Sequence, residues 1–358
     1  MIFGNLILIA IPPVTAAAGA LCARKEQRAL FCLICGALVY LVSAYGALNG
    51  TLTGLAAIMS ERPPISSLGG INAPPAYALI VRICAETGTG GQGFITVQAF
   101  LQGFLTAAYL YNRPDIPYAG AAVLTAAFLP VVCCDANVFT AVVICLFSAK
   151  YIEERRFFRF AAVIFAAACF DISVLLLIPV WFLSFIPKNL VTALLTAGIA
   201  CAAVMLPGVC GAVYGFLGEG LYGKPANPAL PAVCACVAAL LLMLTAAMYR
   251  TRNENTARLI PVFTAGAALS AAAVFEPRLT VVSQAALALS AAVIAPDALA
   301  IFRRFAEIML PGHEKAAGRT AAVILVLLVM ALGAYIVLSD CFGTSRFAAG
   351  LFGEAVDL

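Results

Sequence analysis

Long apolar runs broken by short polar joints fill most of the chain, at residues 2–22, 29–48, 93–111, 117–133, 136–150, 160–187, 189–216, 229–249, 259–275, 279–301 and 320–338. The runs are continuous, unlike the strands of about ten alternating residues that build a membrane barrel. A hydrocarbon core about 30 Å thick is crossed by roughly 20 apolar residues as a helix, and backbone groups cannot stay unpaired there, so each run predicts a membrane helix. The expected fold is all-α, a polytopic transmembrane helical bundle of about 11–12 passes. It is expected to form a single transmembrane domain over residues 1–358.

The joints carry the charge. Arg24, Lys25 and Arg28, then Arg113, then Lys150 with Arg155, Arg156 and Arg159, then Lys188, then Arg250, Arg252 and Arg258, and finally Arg303, Arg304, Lys315 and Arg319 close successive runs. If these joints face the cytoplasm, as the positive-inside bias asks, every other joint faces outward. Run 160–187 lies between two basic joints and must therefore cross an even number of times. As one helix it would be roughly 42 Å long, too long for one pass and too short for two. A hairpin of two short helices is expected there, turning at the outer side near Phe170, Asp171 and Ile172.

Residues 49–92 interrupt the rhythm. Pro63-Pro64, Pro74-Pro75 and the glycine-rich stretch from Gly88 to Gly93 predict a long outer loop. Between the breakers, Ala76–Glu86 predicts a short surface helix with Arg82 and Glu86 on one face.

Composition narrows the function. The chain is 64% apolar and 11% charged with a net charge of +4, so its solvent is lipid and nucleic acid is not an expected partner. Its 13 cysteines lie mostly inside apolar runs, with no neighbouring His or carboxylate set to complete a metal site, and read as small packing residues. The N-terminus lacks the basic region of a cleaved signal peptide, so the first run is expected to remain as a helix. The single histidine, His313, sits in a basic joint, and no nucleotide P-loop or dinucleotide fingerprint is present, so no cofactor or metal is expected.

Charges at membrane depth or on the outer face are sparse, which makes each a candidate. Asp135 and Asn137 fall at an outer turn, Asp171 at the hairpin apex, Glu276 and Arg278 in the joint before run 279–301, and Arg82 and Glu86 in the long outer segment. All fall on one side if the basic joints are cytoplasmic. Arginine grips a diphosphate with two parallel hydrogen bonds, so Arg82 and Arg278 point to a lipid-linked diphosphate.

Residues Ser148-Ala-Lys-Tyr-Ile-Glu-Glu-Arg-Arg-Phe-Phe-Arg-Phe, followed by Asp171-Ile-Ser-Val-Leu-Leu-Leu-Ile-Pro-Val-Trp-Phe-Leu, resemble the EpsG family of bacterial exopolysaccharide proteins, related to the Wzy-type polymerases. The family has a Lys-Tyr-Ile-like helix edge, a basic joint, and a hairpin carrying a His-Ser-Ala-like turn. Pro75-Ala-Tyr-Ala-Leu-Ile resembles its Gly-Tyr segment, and Pro277-Arg-Leu-Thr-Val-Val-Ser resembles the start of a late helix. The likeness extends over about residues 70–300, with 137–183 its specific part. Three positions depart: Asn137-Val138 stands where the family has Arg-Gln, and Asp171 where it has His, while Ser173 agrees.

The resemblance implies a multi-pass protein of the bacterial inner membrane that transfers a glycan from a polyprenyl diphosphate carrier to a lipid-linked repeat unit. Its partners would be the polyprenyl-diphosphate-linked oligosaccharide, membrane lipid and other polysaccharide-assembly proteins. In this scheme Asp171 and Arg278 are the catalytic candidates. Arg82, Asp135, Asn137, Ser173 and Glu276 are the substrate-binding ones. A flippase for the same lipid and a non-catalytic assembly subunit are the alternatives.

Overall fold

The computed structural model describes residues 27–46, 74–114, 136–185, 254–272 and 279–309, with isolated positions between 11 and 19 and between 116 and 125. Among the described residues all regular structure is helical. The runs at 189–216, 229–249 and 320–338 lie outside the described residues, as do nearly all of 2–22 and 117–133.

Helix α1 (Arg28–Gly46) and helix α3 (Gly90–Asn112) pack antiparallel. Glycines set their spacing. A β-carbon on Gly36 would lie 2.6 Å from the Gly103 carbonyl oxygen, and one on Gly103 would lie 2.5 Å from that of Gly36. Such backbone-to-backbone approach is the packing that small residues allow. Arg28 fixes the register by donating to the Leu110 carbonyl at 2.9 Å and the Pro114 carbonyl at 3.1 Å, which satisfies acceptors left over at the end of α3. Before α3, helix α2 (Pro75–Glu86) starts with proline in its first turn, where a missing N–H costs nothing.

The run expected as one helix over 136–150 is two, α4 (Ala136–Cys145) and α5 (Ser148–Glu153), separated by a turn at Leu146-Phe147. Tyr109 and Phe147 meet edge to face at 5.7 Å, so α4 and α5 run beside α3 in the same direction. The chain then reverses at Arg155, whose φ of 56° is left-handed and whose guanidinium stacks 5.2 Å from the Phe185 ring centre.

Helix α6 (Phe157–Ala168) leads into a turn at 169–171, a 3-10 helix (Ile172–Leu177) and α7 (Ile178–Leu183). Phe157 at the start of α6 meets Trp181 of α7 at 5.0 Å, so the two arms fold back on each other as a hairpin. Helices α8 (Glu254–Ala272) and α9 (Leu279–Met309) form a second antiparallel pair, held where Ser283 donates to the Gly266 carbonyl at 3.0 Å. One core joins α1, α3, α4, α6, the 3-10 helix, α7, α8 and α9.

Basic residues gather at one end. Arg113, almost fully buried, pairs with Glu153 at 2.9 Å, and Arg258 donates to the Glu153 backbone carbonyl. The joints at Arg28, Arg113, Glu153 and Arg258, widely separated in sequence, thus share one end of the bundle. By length and composition, one helix among the described residues, Gly93–Asn112, is long and apolar enough to cross a membrane. Shorter apolar stretches occupy Arg28–Ala44, Phe157–Ala168 and Ile172–Leu183.

Candidate functional site

Asp171 stands at the apex of the hairpin, between α6 and the 3-10 helix, with only 6% of its surface exposed. Its carboxylate accepts from the backbone N–H of Ser173 at 2.8 Å, a helix cap that satisfies a donor at the start of the 3-10 helix. Ser173 is itself buried. The fully buried Cys145 thiol at the end of α4 lies within electrostatic reach of the Asp171 carboxyl. Asp171 and Ser173 are therefore buried while Ile172 between them is 44% exposed, so the apex carries its acid inward at the edge of the bundle.

Helix α2 is tied to this apex by a backbone hydrogen bond. The Ala76 N–H donates to the Cys169 carbonyl at 2.9 Å, two residues before Asp171. One residue on, Tyr77 packs edge to face on Phe94 of α3 at 5.1 Å. Val81 and Cys84 of α2 bury against Phe94 and Ile95. The segment Pro75–Ile80 and the hairpin, distant in sequence, are thereby neighbours.

Arg82 lies on α2, about 9 Å along the axis from Ala76. Its Nε donates to Glu86 at 2.6 Å, the one-turn pair expected from their spacing. Asn137 is buried in the first turn of α4. Asp135, Glu276 and Arg278 lie outside the described residues, so the structure brings together Asp171 and Ser173 and leaves those three unassigned. Among the described residues no three His, Cys, Asp or Glu side chains converge as a metal site would need.

A second polar group was not singled out from the sequence. Gln98 and Gln102 of α3 and Thr140 of α4 are all fully buried. Gln102 donates to the Thr140 hydroxyl at 2.9 Å, and that hydroxyl donates to the Gln98 side-chain carbonyl at 2.5 Å. The Gln98 amide nitrogen has no hydrogen-bond partner among the described residues. The signal was available: Gln98, Gln102 and Thr106 recur every four residues, one polar face on an otherwise apolar helix. The opposite face of α3 turns Phe100, Phe104 and Tyr111 outward, each about 60% exposed.

The model of the EpsG family matches residues 56–224 of this chain. The family likeness drawn from the sequence is thus borne out over that stretch, which contains α2 to α7 and the Asp171 hairpin. The late segment Pro277–Ser283 lies beyond it. No curated protein and no solved structure matches the chain significantly.

Proposed function

We propose that this chain, EpsG-like over residues 56–224 and so akin to a family related to the Wzy-type polymerases, is a membrane-embedded glycan polymerase. It would transfer a glycan from a polyprenyl diphosphate carrier to a lipid-linked repeat unit in the bacterial inner membrane. The observation that carries the reading is a carboxylate, Asp171, held inside an apolar helical bundle at the apex of a hairpin within the matched stretch. A buried acid retained in such a bundle is a functional candidate by default.

The distribution of side chains supports a lipid environment and a single domain of many passes. On α3 the amides face inward while Phe100 and Phe104 face outward. On α1 Ser43 is buried while Leu30, Leu33 and Leu41 are exposed. Water would select the reverse, and hydrocarbon selects this. Each arm of the hairpin is 12 residues, so α6 reaches about 18 Å and falls short of a core about 30 Å thick. We read it as a re-entrant element that carries Asp171 to membrane depth from the basic end of the bundle.

The chemistry follows from charge. A departing diphosphate is already a good leaving group, so the protein has to neutralise it and accept a proton from the attacking sugar hydroxyl. Arg278 and Arg82 take the first role, with Arg82 released from Glu86. Asp171 takes the second as general base, while Ser173, Asn137, Asp135 and Glu276 orient the sugars. A non-catalytic assembly subunit is the second reading, favoured by the capping bond that occupies Asp171 and the ion pair that occupies Arg82.

The test is glycan elongation by purified protein in lipid, fed polyprenyl-diphosphate repeat units. Elongation that Asp171→Asn and Arg278→Ala both abolish would support the polymerase. Absence of elongation despite tight binding of the lipid would sink it in favour of the assembly role.

A further inference from the structure

We infer that Gln98, Thr140 and Gln102 form a subsite that reads the hydroxyl and acetamido groups of an uncharged sugar, a deepening that rests on the lipid-linked glycan reading above. The cluster is an expense the fold does not need. A buried amide donor without a partner costs about 1–3 kcal/mol, and a partly satisfied polar network is worse than an apolar core. Leucine at 98 would extend the apolar packing of α3 without leaving a buried amide donor. The Gln98 amide nitrogen, without a partner among the described residues, therefore points to a ligand oxygen as the group that completes it.

The chemistry of the set defines the ligand class. Two carboxamides and a hydroxyl supply donors and acceptors side by side, which matches sugar hydroxyls, since these do both. The cluster contains no cation, so a uronate or phosphorylated sugar would bring a charge that none of its described residues compensates.

A chain of contacts links the cluster to the hairpin apex. Gln98 is one helical turn beyond Phe94, Phe94 packs on Tyr77, and the preceding residue Ala76 is bonded to Cys169, two residues before Asp171. The way in lies under α2. That helix is bonded to the apex through Ala76 and buries Ala78, Val81 and Cys84, the last two with Phe94 and Ile95 in a small cluster separate from the main core, so its displacement would uncover the Phe94 turn of α3, next to Gln98.

The test compares wild type, Gln98→Leu and Gln98→Met in lipid nanodiscs. Two probes are titrated: undecaprenyl diphosphate bearing an N-acetylhexosamine oligosaccharide, and undecaprenyl diphosphate alone. The expected result is at least about tenfold weaker binding of the glycan-bearing probe by either variant, the loss of roughly one hydrogen bond. Binding of the bare carrier should be unchanged, and the thermal midpoint unchanged or raised. Unchanged affinity for the glycan-bearing probe with a lowered midpoint would overturn the inference and make the cluster a lock between α3 and α4. Equal binding of both probes by the wild type would also overturn it. Binding of neither would refute the glycan reading itself, which separates the two failures.

Discussion

Replacing Gly103 with alanine tests the packing that places the whole site. The new methyl carbon would lie 2.5 Å from the Gly36 carbonyl oxygen and 3.0 Å from the Tyr40 β-carbon. A relaxed carbon–oxygen contact needs about 3.3–3.6 Å, so α1 and α3 must part by roughly 1 Å. Inserting a methyl group into a closed interface costs about 1–3 kcal/mol. Helix propensity returns part of this, about 0.5–1 kcal/mol for alanine over glycine. The net expectation is destabilisation by about 1–2 kcal/mol, read as the shift in unfolding midpoint against dodecyl sulfate mole fraction in mixed micelles. Gly36→Ala should act alike, since its methyl meets the Gly103 carbonyl at 2.6 Å. The double variant should cost less than the sum, because helices already parted accommodate both methyls. A Gly103→Ala protein as stable as the wild type, or more so, would refute the close crossing, because propensity alone would then govern the site.

Two further outcomes follow from the described contacts. Arg113→Ala leaves Glu153 largely buried and should cost about 3–5 kcal/mol, much of it recovered in Arg113→Ala/Glu153→Ala; equal losses in the single and double variants would show that the pair is not the source. Asp171→Ala removes a cap and should lower stability by about 1 kcal/mol, whereas Asp171→Asn keeps an acceptor for the Ser173 N–H and should unfold close to wild type in the same titration.

The helices were legible in the sequence because long continuous apolar runs, without the alternation of strands, leave few alternatives to them. The segments 29–48 and 93–111 stand as helices α1 and α3 within three residues, 259–275 as α8 starting five residues earlier, 279–301 as α9 running on to Met309, and Ala76–Glu86 as α2. The reversal at 169–171 was legible too, from a run too long for one pass lying between basic joints. Other features were hidden because they depend on partners far along the chain. The break at Leu146-Phe147 carries no glycine or proline, and Ile172–Leu177 reads as well for an α-helix as for the 3-10 helix it forms. The tie of α2 to the Asp171 hairpin, from Ala76 to Cys169, is a contact across more than 90 residues. Gln98 and Gln102 announced a polar face by their spacing, yet its partner Thr140 belongs to another helix. For Arg278, Glu276 and Asp135 the sequence remains the sole basis of assignment.

The central claim is that a lipid-linked glycan is handled at the Asp171 apex. The most direct measurement is photocrosslinking of wild-type protein in lipid with a polyprenyl-diphosphate oligosaccharide carrying a diazirine on its first sugar, followed by peptide mapping. Labels concentrated on the apex at 169–173 and on the facing turns of α2 and α3, and displaced by unlabelled oligosaccharide lipid, are predicted. Labels confined to other helices, or undiminished by the competitor, would contradict the account.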